Sequence, residues 1–171
     1  MQRLTALTVA LLLLIGSSDV GANTTTVRIL GNETFVPNAV IMATFRFNPG
    51  PLSATSGGMV TWDNTATDGS ADEPHTVTLV TQDQLPAAFD EIFECMAPGE
   101  PCGNALAAHF PAPGVVVPVV NVGAAGLDMP GDSILIFPHA TATATISAPA
   151  GSTLYYLCAI HPWMQGSITV R

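Results

Sequence analysis

Thr153-Leu154-Tyr155-Tyr156-Leu157-Cys158-Ala159-Ile160-His161-Pro162-Trp163-Met164 is the stretch that decides the fold of this chain. Its first half alternates as a half-buried strand does, with Leu154, Tyr156 and Cys158 on one face. Its second half sets a thiol, an imidazole and a thioether three residues apart in one tight loop. Soft sulfur ligands suit Cu(I), and imidazole suits either copper oxidation state. A strand that delivers such a loop needs a second imidazole, carried on a neighbouring strand, to complete a His₂Cys set with an axial Met.

The surrounding sequence reads as β. Val27 to Leu30 ends at Gly31-Asn32, and Ala43 to Phe47 alternates and stops at Asn48-Pro49-Gly50-Pro51. Met59 to Trp62 follows Gly57-Gly58 and ends at Asp63-Asn64. His75 to Val80, Thr141 to Ile146 and Gly166 to Val170 complete the set. Short strands divided by Gly, Pro, Asn and Asp turns predict an all-β sandwich or barrel. His75 shares a strand face with Val77 and Leu79, so it points where core residues point.

Residues 82–132 break this rhythm and read as a loop and short-helix insertion with no second hydrophobic core of its own. A helix is expected over 86–94, with Pro86 near its first turn and Phe89, Ile92 and Phe93 on one side. Val115 to Val120 contains Pro118 and reads as an edge strand or an extended loop. Cys95 and Cys102 bracket Met96-Ala97-Pro98-Gly99-Glu100-Pro101, a turn-rich segment able to bring them together. An oxidising compartment favours a disulfide there and leaves Cys158 as the single thiol. Two free, buried thiols are the alternative.

Arg3, an apolar run from Leu4 to Ile15 and the small residues Val20-Gly21-Ala22 form the pattern of a secretory signal segment over 1–22. One domain over 23–171 is then expected, in the periplasm or outside the cell, with no stable membrane insertion after cleavage. An uncleaved anchor is the other reading. The chain has no lysine, and its four arginines against thirteen acids give a net charge of -9. That excludes nucleic acid as a natural partner and favours a protein with a basic docking face. Solubility alone is the bland explanation of the same acidity.

The second imidazole is found in Glu73-Pro74-His75-Thr76-Val77-Thr78, which opens a strand after a polar loop. With it, the chain resembles a cupredoxin, a type 1 blue copper protein of the plastocyanin and azurin group. The ligand loop, with Pro162 after His161, is most similar to that of amicyanin. The resemblance covers about 27–80 and 133–171. It implies a Greek-key β-sandwich and one copper ion held by His75, Cys158, His161 and Met164. Cys158 would supply the short covalent bond, His75 and His161 the rest of the trigonal plane, and Met164 the weak axial contact.

The same resemblance implies surrounding roles for three residues. The Pro74 carbonyl would face the metal from the other side, and the Thr76 amide would donate to the Cys158 sulfur. Many family members carry Asn where Thr76 stands, and its side chain ties the two ligand segments together. No counterpart of that tie is expected here. Ile160 stands where amicyanin and plastocyanin carry Pro, so it keeps an N–H able to give the sulfur a second hydrogen bond.

Multicopper oxidases and copper nitrite reductases place His beside the type 1 Cys, whereas Cys158 lies between Leu157 and Ala159. An enzyme is therefore not expected. The resemblance implies a one-electron carrier serving a redox protein such as a cytochrome or a dehydrogenase or oxidase. Copper delivery or storage without electron transfer is the alternative. The edge of His161 would be the electron port. Trp163 reads equally as lining that port or as core, and the acidic run from Asp68 to Glu73 as a docking feature or a solvated turn. His109 and His139 are expected to be surface or loop histidines.

Overall fold

The computed structural model describes residues 24–171. The signal segment expected over 1–22 lies outside the described residues. Among the described residues the strands are, in chain order, β1 (Thr24–Leu30), β2 (Glu33–Val36), β3 (Val40–Ala43), β4 (Arg46–Asn48), β5 (Pro51–Ala54), β6 (Met59–Asp63), β7 (His75–Val80), β8 (Val119–Val120), β9 (Ser133–Ile136), β10 (Thr141–Thr145), β11 (Thr153–Leu157) and β12 (Gln165–Val170). Between β7 and β8 stand α1 (Phe89–Cys95) and α2 (Pro101–His109). The fold is an all-β sandwich with a helical insertion.

One sheet has the order β10-β6-β1-β4 and the other β5-β12-β11-β7-β9-β8, while β2 and β3 pair only with each other. The strand expected over 43–47 is interrupted. Residues 44–45 leave the ladder between β3 and β4, and Phe45 turns into the core at 2% exposure. The core between the sheets is made by alternating positions: Val27 and Ile29 on β1, Val60 and Trp62 on β6, Leu154 and Tyr156 on β11, Ile168 and Val170 on β12. Trp62 and Tyr156 meet edge to face, with ring centroids 6.1 Å apart. Large aromatic area of this kind dominates the burial that holds such a sandwich together.

The insertion departs from the sequence reading. β7 is buried on both faces, not one, because α2 packs against its outer side. A second apolar cluster does form, from Val80, Cys95, Cys102, Ala105, Leu157 and Ala159. Cys95 and Cys102 are joined as a disulfide at its centre. The helix expected over 86–94 is α1, but its apolar side is not its buried side: Phe89 and Phe93 meet edge to face at the surface, and Cys95 faces inward. α2 was not expected, although Pro101 occupies a first-turn position where a missing N–H costs nothing. β8 lies at the sheet edge, as Pro118 requires.

No helix among the described residues is long and apolar enough to cross a membrane.

Candidate metal centre

His75 is the first residue of β7, and β11 runs antiparallel beside it with Leu157 opposite Thr78. This register carries Cys158, one residue past β11, to the same end of the sandwich. The loop after it closes on itself. His161 N–H donates to the Cys158 carbonyl (3.1 Å), Met164 N–H to the His161 carbonyl (2.8 Å) and Cys158 N–H to the Met164 carbonyl (3.0 Å). His75, Cys158, His161 and Met164 are all buried, with His161 the least so at 8% exposure.

Three donor atoms converge. Cys158 Sγ lies 3.9 Å from His75 Nδ1 and 3.6 Å from His161 Nδ1, and the two Nδ1 atoms are 3.2 Å apart. Among the described residues no other group of three His, Cys, Asp or Glu side chains converges in this way. His75 Nε2 lies 3.1 Å from the Ser70 carbonyl, which can only accept, so the ring proton sits on Nε2 and Nδ1 offers a lone pair. The His75 Nδ1 lone pair faces His161 Nδ1 at 3.2 Å, a gap that a proton or a shared cation can bridge. The donor set of two imidazoles, one thiol and a buried neighbouring Met fits copper.

Electrostatics point the same way. Burial pushes the Cys158 thiol up, opposed by the Thr76 amide, then by backbone groups of His161 and Ile160, and last by the Thr76 hydroxyl. Burial pulls His75 down against the Ser70 carbonyl. Burial, then the charge of His75, pulls His161 down to about 4. Both imidazoles are therefore neutral at neutral pH and free to act as ligands, and the buried thiol has most to gain from a cation that takes its proton's place.

Thr76 N–H donates to Cys158 Sγ at 3.3 Å. The tie between the two ligand segments, which was not expected, is present. Ala159 N–H donates to Thr76 Oγ1 at 2.7 Å, so a hydroxyl one atom off the strand does what a longer amide side chain would do. Pro74 is half-buried at the entry to β7. Asn64 fixes that entry by donating Nδ2–H to the Glu73 carbonyl (2.9 Å).

Several residues of the site escaped the sequence reading. Phe45 packs edge-on against both imidazoles, with centroids 5.5 Å from His75 and 4.9 Å from His161. Ser70 lies in the turn between β6 and β7, and Asp68 holds that turn by accepting from Ser70 Oγ (2.8 Å) and Gly31 N–H (2.8 Å). Part of the acidic run is therefore structural. Its member Asp72 pairs with His139 at the surface (3.1 Å). Trp163 is 39% exposed, with its ring centroid 5.3 Å from that of His161, which puts it at the surface edge of the site. His109, expected at the surface or in a loop, is fully buried at the end of α2.

No protein-family model and no curated protein sequence matches the chain. Among solved structures, auracyanin from Roseiflexus castenholzii is 18% identical over 86% of this chain and 96% of its own, with a TM-score of 0.46. Amicyanin from Paracoccus versutus is 13% identical over 90% and 86%, with a TM-score of 0.44. Plastocyanin from Dryopteris crassirhizoma is 19% identical over 86% and 100%, with a TM-score of 0.40. Likenesses at this level carry no functional argument; the donor geometry does.

Proposed function

We propose that this chain is an exported cupredoxin, a soluble blue-copper electron carrier that passes single electrons between redox proteins. The observation that carries the reading is the buried triangle of His75 Nδ1, His161 Nδ1 and Cys158 Sγ, with sides of 3.9, 3.6 and 3.2 Å. His75, Cys158, His161 and Met164 would hold the copper ion. A bound copper ion supplies a one-electron couple that the protein alone lacks.

The chain's own residues do the rest. The Ser70 carbonyl and Phe45 fix the His75 ring, and the closed 158–164 loop fixes the other donors, so little rearrangement accompanies a change of charge. The Thr76 amide, with Ile160 as a second donor, stabilises negative charge on the sulfur and favours the reduced state. His161, at the edge of the site beside exposed Trp163, is the route for the electron to the surface. A net charge of -9 suits a partner with a basic docking face, such as a cytochrome or a dehydrogenase or oxidase. The signal segment over 1–22 supports a periplasmic or extracellular location. Leu157 and Ala159 beside Cys158 offer no ligand to a second copper, which supports a carrier and not an enzyme.

Copper-loaded protein should show an intense thiolate-to-copper absorption band that bleaches and returns with one electron. A colourless protein that gives its copper up readily to a chelator would overturn the carrier reading in favour of delivery or storage.

A further inference from the structure

A single file of buried hydrogen bonds runs from the ligand loop to His109 in the insertion. Ala159 N–H meets Thr76 Oγ1 at 2.7 Å, Thr76 Oγ1 meets Thr78 Oγ1 at 3.0 Å, and Thr78 Oγ1 meets Ser133 Oγ at 2.8 Å. Ser133 Oγ meets His109 Nε2 at 2.7 Å, and His109 Nδ1 meets the Val117 carbonyl at 2.6 Å. Thr76, Ser133 and His109 are fully buried, and Thr78 is 2% exposed. The Val117 end of this file fixes its direction. The Val117 carbonyl only accepts, so His109 carries its proton on Nδ1 and accepts at Nε2. Ser133 must then donate to His109, Thr78 to Ser133, and Thr76 to Thr78. The Ala159 amide only donates, and Thr76 Oγ1 receives it. Every hydroxyl proton points away from Cys158.

We propose that His109 is a remote positioning residue for the copper centre, acting through Ser133 and Thr78 to hold the Thr76 hydroxyl proton away from the Cys158 sulfur. The inference rests on the copper reading above. When His109 gains a proton at Nε2, that nitrogen can only donate, and the file reverses. Thr76 Oγ1 then receives Thr78 O–H as well as Ala159 N–H, and its own proton is left with the neighbouring sulfur as its acceptor. The Thr76 hydroxyl stands beside that sulfur, since its own amide lies 3.3 Å from Cys158 Sγ and its oxygen 2.7 Å from the Ala159 amide. An added donor to the sulfur favours the electron-rich reduced state and raises the potential.

The surroundings of His109 leave it free to act in this way. Burial lowers its pKa, opposed by the Val117 carbonyl, so the neutral form with the outward-pointing file prevails at neutral pH. Its position at the end of α2 favours the charged form, and Phe110 lies beside it with ring centroids 6.5 Å apart. The carboxylates on the surrounding elements make none of its hydrogen bonds. Those are Glu100 at the start of α2, Asp90, Glu91 and Glu94 on α1, and Asp132 before β9. Asp132 is committed to the amides of Val122, Asp128 and Met129.

The test is a pH series of reduction potentials on the copper-loaded full chain, with wild type, His109→Gln, Thr78→Val and Thr78→Ser. Wild type should rise in potential as pH falls below neutrality. His109→Gln keeps an acceptor for Ser133 but cannot titrate there, and should lose that part of the rise while matching wild type at neutral pH. Thr78→Val cuts the file, freeing the Thr76 proton, and should have a higher potential at neutral pH. Thr78→Ser should restore the wild-type value. A pH dependence unchanged in His109→Gln, or a Thr78→Val potential equal to that of Thr78→Ser, overturns the proposal. Nitrogen NMR of the metal-free chain judges it independently of copper, since the His109 proton must be on Nδ1 at neutral pH. A wild type that never develops the blue band rejects the copper reading alone, whereas an Nε2 proton on His109 rejects the file.

Discussion

His75 gives its Nε2–H to the carbonyl of Ser70 at 3.1 Å, and this one bond decides which nitrogen the ring turns toward Cys158. Ser70 is five residues earlier, in a turn that begins at Gly69 with φ of 102°, a conformation that favours glycine. Nothing in the ligand spacing reveals this bond, yet it fixes both tautomer and ring orientation, as groups behind a metal ligand commonly do.

Asp68 is the residue that keeps that turn closed. Burial acts to raise its carboxyl, but bonds from Gly31 and Ser70 outweigh it and hold the group below its usual value. A carboxylate with a lowered folded pKa stabilises the fold above the ordinary carboxylate range and ceases to do so as pH falls through the lower folded value. Asp68→Ala should cost about 1 kcal/mol at neutral pH, the scale of an exposed hydrogen-bonded group. Urea titration at pH 7 and in mild acid checks both points. The difference between variant and wild type should shrink in acid.

The metal-free centre should make the protein acid-sensitive. His161 is held down to about 4 and His75 is also lowered, so the unfolded chain binds protons at these positions before the folded chain does. Stability from the neutral imidazoles is therefore present above their unfolded value of roughly 6.5 and is lost as pH falls from there toward the folded values. For His161 alone the loss is of order 3–4 kcal/mol, from a fall of roughly 2.5 pH units at about 1.4 kcal/mol each. The urea midpoint of metal-free protein should fall across that window. Copper-loaded protein should hold its midpoint to lower pH, because protons must displace the ion first. Superimposable curves would show that the imidazoles do not share an ion.

The convergence of His75 and Cys158 was legible because each lies where a strand meets a loop, and strand alternation shows which way a side chain faces. His75 falls in with Val77 and Leu79, and Cys158 with Tyr156 and Leu154. Residues whose role depends on tertiary approach were not legible. Phe45 reaches the imidazoles only because the chain leaves the ladder between β3 and β4. His109 is buried only because α2 folds onto the outer face of β7, which by alternation alone should have met solvent. β9 is a short apolar run, Ser133-Ile134-Leu135-Ile136, whose burial on both faces removes the alternation by which the other strands were found. The Thr76 tie was missed for another reason: a family pattern suggested a longer side chain, and a register that sets Ala159 near Thr76 lets a hydroxyl suffice.

Ile160 offers the most direct handle on potential. Its backbone is among the groups that oppose the rise of the Cys158 thiol, after those of Thr76 and His161. Ile160→Pro removes the N–H and leaves the loop's own closing bonds, which are made by Cys158, His161 and Met164. Fewer donors to the sulfur destabilise the electron-rich state, so the variant should have a lower potential with the absorption band retained. Voltammetry beside wild type checks this, and an unchanged or higher potential would show that the Ile160 amide does not act on the sulfur.

The Cys95–Cys102 disulfide packs with Leu157 and Ala159, the two neighbours of Cys158, and so backs β11 beside the His75, Cys158 and His161 cluster. It closes a short loop of sequence separation 7, for which restriction of the unfolded chain contributes about 2–3 kcal/mol. The ligand loop does not depend on it for closure, since the bonds among Cys158, His161 and Met164 are internal. Cys95→Ala combined with Cys102→Ala should therefore lower the urea midpoint by that amount while leaving the position of the copper absorption band unchanged. Far-UV circular dichroism and visible absorption followed through one titration separate the outcomes. Colour lost while the strands persist would make the insertion part of the metal centre. Colour and strands lost together, at a lower urea concentration than in wild type, would make it a brace for the fold.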